Sequence, residues 1–163
     1  MVAIIITVIV GAVAFLPRTS NAVPLGDLDF CVSGTGRLYH THATLRISIN
    51  GSNFPVPANI GADGCMRVIH THGSDGELHI EPDEDKGRDY VLGDIFRIWG
   101  NWANNANQAI FNSTQIFTNR VDASHSLTVT VNDTPDPRFQ TIPFPKTGGT
   151  TTTIVITYGP FAS

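Results

Sequence analysis

Between Thr44 and Gly51 the chain reads TLRISING, and polar and apolar residues alternate without a break. Leu45, Ile47 and Ile49 fall on one side of an extended strand, and Thr44, Arg46 and Ser48 on the other. Asn50-Gly51 then supplies the type I′ turn that joins two antiparallel strands. FPVPANIG, which follows, reads as a proline-limited edge strand. A second hairpin is predicted from Cys65 to Glu81: a strand to His72, a turn over Gly73–Gly76, and a returning strand Glu77–Glu81. The period then changes. Leu92, Ile95, Phe96 and Trp99 recur at helical spacing and predict one short helix closed by Gly100, with Trp99 and Trp102 covering the core. AIFNSTQIFTNRV fits neither period, whereas Ser126–Asn132 and Thr151–Gly159 alternate as strands around a proline-rich connection. These elements predict an all-β fold, a mainly antiparallel sandwich or small barrel with one helix laid against it, as one domain over residues 23–163.

The composition fits this class. Charged residues make up only 15% of the 163 positions, with Thr, Asn and Gly in their place, which suits an extracytoplasmic β-protein. A formal net charge of -4 provides no basic face for nucleic acid and no polybasic membrane anchor. The apolar run Val2–Leu16, followed by small residues at Ser20 and Ala22, predicts a signal peptide over residues 1–22. A retained anchor, or an apolar strand docking on a neighbouring subunit, is the alternative. It would be the chain's one route to a membrane. Cys31 and Cys65 read as a single disulfide in an oxidising compartment. Asn50, Asn112 and Asn132 open N-x-[ST] triplets and are candidate glycosylation sites.

The chemistry concentrates in histidine. Five of the 6 histidines stand at dipeptide spacing: His40-Thr41-His42, His70-Thr71-His72 and His79-Ile80-Glu81. On extended backbone each such pair shares a face, and the hairpin brings His79 and Glu81 beside His70 and His72. Imidazoles with a carboxylate in one sphere suit zinc first and copper second. The candidate ligands are therefore His70, His72 and His79, completed by His40, His42 or Glu81. Ligation requires neutral imidazoles, so affinity should fall below about pH 6. A polar sheet face with ordinary surface histidines is the alternative. His125 stands apart and reads as structural or exposed.

His70-Thr71-His72 followed by Glu77 also satisfies part of the cupin pattern, but the later glycine and the second half-motif are missing. No G-x-S-x-G, H-E-x-x-H or EF-hand spacing is present. A metalloenzyme with Glu77 or Glu81 as base is thus a third option. A metal-binding protein comes first. A self-assembling surface protein, its subunits bridged by metal into a tube, filament or layer, comes second.

Several stretches together resemble a family of small, mostly uncharacterised cell-envelope β-domains from archaea and bacteria. They are His40-Thr41-His42, INGSNFPVPANIG, Cys65, IHTHGSDGELHIE, YVLGDIFRIWG and the final IVITYG. The resemblance covers most of the chain after its N-terminal segment. It implies an extracytoplasmic β-domain with a metal site and no particular reaction. One departure stands inside the central motif: Gly73 replaces the family's usual Asp, and the acid follows at Asp75.

Overall fold

The structure is a computed structural model and describes residues 21–147 and 151–161. The expected signal or anchor segment lies almost wholly outside the described residues.

Among the described residues the fold is built from ten strands and one α-helix, beside three short 3-10 turns: β1 (Thr41–Ile49), β2 (Ser52–Phe54), β3 (Ile69–His70), β4 (Glu77–Ile80), α1 (Leu92–Trp102), β5 (Phe111–Asn112), β6 (Gln115–Ile116), β7 (Asn119–Arg120), β8 (His125–Val131), β9 (Thr134–Pro135) and β10 (Thr152–Pro160). The main sheet runs β3-β4-β1-β10-β8-β9, with β2 paired to the far end of β1. Strands β5, β6 and β7 make a small second sheet. The all-β class with one helix is therefore observed. The main sheet is open, with β3 and β9 at its ends, so the barrel alternative is not realised.

The alternation read in TLRISING sets the layers. Ala43, Leu45 and Ile47 of β1 are buried, as are Ile154, Ile156 and Tyr158 of β10. These two central strands run parallel, with Leu45 opposite Ile154 and Ile47 opposite Ile156. Every other pair in the main sheet is antiparallel. Leu127 and Val129 of β8 and Leu78 and Ile80 of β4 extend the same apolar face. Against it pack α1, through Leu92, Ile95, Phe96, Ile98 and Trp99, and the small sheet, through Phe111 and Ile116, in one continuous core. The helix starts with Asp94 accepting a bond from the Val91 backbone N–H at 2.9 Å while Arg88 holds the same carboxylate at 2.7 Å.

Four expectations need correction. Gly100 does not close the helix, which continues to Trp102. Instead Gly100 lets the turn Ala106–Ala109 approach: a Cβ there would stand 2.6 Å from the Ala109 Cβ. Trp102 lies at the surface, unlike the buried Trp99. The strand expected over Cys65–His72 shrinks to Ile69–His70, because its flanks bond elsewhere. Arg67 N donates to Gly61 O and Thr71 N to Ile60 O, which ties both ends to the turn before them rather than to the sheet. FPVPANIG, likewise, is strand only at Phe54; the rest forms that turn, with Asn59 and Gly61 at positive φ.

The predicted I′ turn is present, with φ of 52° at Asn50 and 77° at Gly51. Asn50 and Asn132 are exposed and Asn112 is half-buried. The Asn112 and Asn132 side chains already accept bonds from Thr114 and Thr153. Cys31 and Cys65 form a disulfide with their Cα atoms 5.2 Å apart, closing a 34-residue separation. It pins the loop leading into β1 to the loop leading into β3. Cross-linking a loop of this length contributes about 3–4 kcal/mol.

Gly76 locks β4 onto β1. Its carbonyl accepts from Leu45 N at 2.8 Å, and a Cβ on it would lie 2.2 Å from Leu45 O, at a φ of +85°. Gly76→Ala is expected to cost more than about 2 kcal/mol, since strain and clash add. Gly51→Ala, at φ +77° with nothing within 4 Å, should cost only about 1 kcal/mol. Denaturant unfolding of the two variants checks this order.

Candidate metal centre

Cross-strand register assembles the histidines. His42 of β1 lies directly opposite His79 of β4, and His79 directly opposite His70 of β3. All three side chains rise from the sheet face opposite the core. His40, just before β1, and His72, just after β3, flank this row at the next same-face positions. Neighbouring rings come close: His42–His79 centroids are 4.5 Å apart, His72–His79 4.6 Å, His70–His72 4.8 Å and His70–His79 5.3 Å. Five imidazoles from three adjacent chain segments thus meet, with His79 at the centre.

Two trios can each hold a metal ion: His40, His42 and His79, and His70, His72 and His79, their nitrogens within 4.8 Å of one another in each trio. In the first, His40 Nε2 and His42 Nε2 both stand 3.2 Å from His79 Nδ1. A ring nitrogen carries one lone pair or one proton, so His79 Nδ1 can make a good hydrogen bond to only one of them. A cation between the three nitrogens satisfies all of them. Donors about a tetrahedral zinc, with bonds of about 2.0 Å, stand about 3.3 Å apart, close to the spacing found.

Glu81 sits beyond the end of β4, buried at 2% exposure. Arg37 holds Oε2 at 2.7 Å. Oε1 faces the first trio, 2.9 Å from His40 Nε2 and 3.7 Å from His79 Nδ1. Glu77, half-exposed on the same face of β4, lies on the other side of the ring, with Oε2 3.8 Å from His79 Nε2. A cupin arrangement would bind Glu77 beside His70 and His72, yet it belongs to neither trio.

His70 has the most restrictive setting. It is fully buried, and its Nδ1 lies 2.9 Å from the Arg67 carbonyl oxygen. A carbonyl only accepts, so Nδ1 carries the proton and Nε2 keeps its lone pair. That Nε2 is buried without a hydrogen-bond partner. Locking the tautomer through a backbone carbonyl is the usual second contact of a metal-ligating histidine. Thr71 fixes the backbone beside it, donating to Pro57 O at 2.8 Å and accepting from Ile60 N at 3.0 Å. Burial depresses the His70 pKa to about 4, opposed by the Arg67 carbonyl and Glu81. Burial also lowers that of His79, reinforced by the positive charge that His42 and His72 would carry. Burial thus favours the neutral form of both rings, the form that ligation needs.

Residue spacing had pointed to all six of these side chains, and the structure brings them together. It adds Arg37 and the Arg67 carbonyl, which orient Glu81 and His70. It leaves His125 outside, stacked on Tyr158 at 5.4 Å and 3.1 Å from Asp122 Oδ1. Asp75 acts within the turn that joins β3 to β4. A Cβ at Gly73 would stand 3.1 Å from Asp75 Oδ1, so the Asp75 carboxylate fills the space a residue-73 side chain would take. It caps the turn by accepting from Glu77 N at 3.1 Å.

Compared with protein-family models, curated proteins and solved structures, the chain matches none.

The depressed histidines make a pH prediction. Unfolding raises the His70 pKa from about 4 to its ordinary 6.5, so between these values the unfolded chain binds more protons. The metal-free protein should lose stability as pH falls from 6.5 toward 4, with no further loss from this group below that. His70→Gln should flatten this stretch of the unfolding free energy against pH.

Proposed function

We propose that the chain is an extracytoplasmic metal-binding protein, with zinc its first ion and copper its second. The observation that carries this reading is the meeting of His40 Nε2 and His42 Nε2 at His79 Nδ1, each 3.2 Å away. Only one of the two can hydrogen-bond that nitrogen well, and His40 Nε2 also has Glu81 Oε1 at 2.9 Å; a single cation would be a common partner for all three nitrogens. A mainly imidazole set favours zinc and copper over calcium or magnesium, which prefer oxygen. The Cys31–Cys65 disulfide supports an oxidising compartment. Glu81, its far oxygen held by Arg37, is the oxygen donor nearest the first trio.

A second reading draws on the exposure of His40 and His72. Ligands at the rim can accept a donor from another copy, and metal would then join subunits into a larger assembly. Sedimentation with and without chelator separates the two readings. A monomer under both conditions removes the assembly.

Protein purified without a histidine tag should carry zinc or copper by elemental analysis, or take it up on titration. Metal at 100 times its dissociation constant should stabilise the fold by about 3 kcal/mol, or roughly 5–10 °C in Tm. His79→Gln should abolish that rise, while His125→Gln should leave it intact. A melting temperature indifferent to metal in the unmodified protein defeats the proposal.

A further inference from the structure

His79 has two ring nitrogens, and different side chains lie nearest to each. Nδ1 has His40 Nε2 and His42 Nε2 at 3.2 Å and Glu81 Oε1 at 3.7 Å. On the other side of the ring, Nε2 has Glu77 Oε2 at 3.8 Å. His70 and His72 form the second trio with His79, and the two trios do not merge into one set within 4.8 Å. Five imidazoles therefore do not gather around a single point. One nitrogen has one lone pair, so a metal at Nδ1 leaves only Nε2 to serve the second trio. An independent sign of a ligand on that second side is the buried, unpartnered Nε2 of His70.

We propose that the cluster holds two divalent first-row metal ions bridged by the imidazolate of His79. This rests on the metal-binding reading above and deepens it. The first ion takes His40, His42 and His79 Nδ1, with Glu81 Oε1 beside them; the second takes His70 Nε2, His72 and His79 Nε2, with Glu77 at the rim of that side. Each set supplies three imidazoles and leaves the fourth tetrahedral position to the neighbouring carboxylate or to solvent. Neutral His79 carries one ring proton, and bridging displaces that proton to solvent. The two carboxylates and the imidazolate offset three of the four positive charges brought in.

Copper(II) is the probe, added stepwise to the metal-free, untagged full chain, with bound ions counted by native mass spectrometry and spins by electron paramagnetic resonance. The expected result is two ions per chain, with a signal that grows through the first equivalent and then falls as the bridged pair couples. His79→Gln should remove the coupling. Replacing His40 and His42 together by Gln should leave one ion with a full single spin. His72 is exposed, so His72→Gln spares the fold and should weaken the second ion at least tenfold while leaving the first. One ion per chain, or two ions whose signal adds to two independent spins, overturns the bridge but leaves the metal-binding reading standing. No uptake at all overturns both.

Discussion

The register of β1, β4 and β3 is the constraint on which the rest depends. One alignment sets His42 against His79 and His79 against His70, and it also sets Ala43 against Leu78. Because side chains alternate across a sheet, the apolar fit below and the imidazole row above are two faces of one register. A slip of β4 by one residue would drive His79 into the core and bring Leu78 to the opposite face. The core therefore specifies the site. Gly76 guards that register, because no other residue permits its backbone to lie so close to Leu45 O.

Where the chain carried a local period, its structure was legible. TLRISING and the i, i+3, i+4, i+7 stripe of α1 are local patterns, and both became the elements they predict. The parallel pairing of β1 with β10 was not legible, since two alternating strands look the same whichever partner or direction they adopt. The same holds for β5–β7: two-residue strands, broken by Phe117 at φ 53°, are too short to show a period. Gly100 misled because glycine near a helix end usually marks a stop, and its reason for being there, Ala109, is a tertiary contact.

The site divides in the same way. Dipeptide spacing marks a shared face, so the histidines and Glu81 could be named from sequence. Arg37 reaches Glu81 from a loop whose path is set by the disulfide and by Leu38 N bonding Pro82 O. The acceptor for His70 is a main-chain oxygen, which every residue has and no residue type announces. A lone arginine three positions before the first H-T-H was the only available hint of the carboxylate's partner.

Burying His70 has an energetic consequence. A neutral imidazole with an unpaired, desolvated nitrogen costs about 1–3 kcal/mol compared with one that is hydrogen-bonded. Burial, and then the charge that His42 and His72 would carry beside it, also disfavours the charged form of His79. A fold optimised for stability alone would place an apolar residue at position 70 and disperse the others. Instead this one spends rigid elements on holding the cluster: Thr71 on two backbone groups, Arg67 O on His70, Arg37 on Glu81. These contacts keep lone pairs neutral, aligned and short of partners. Such an arrangement weakens the metal-free chain, and the proposed cation would relieve that cost, so the affinity proposed for this cluster and its metal-free instability would have one cause.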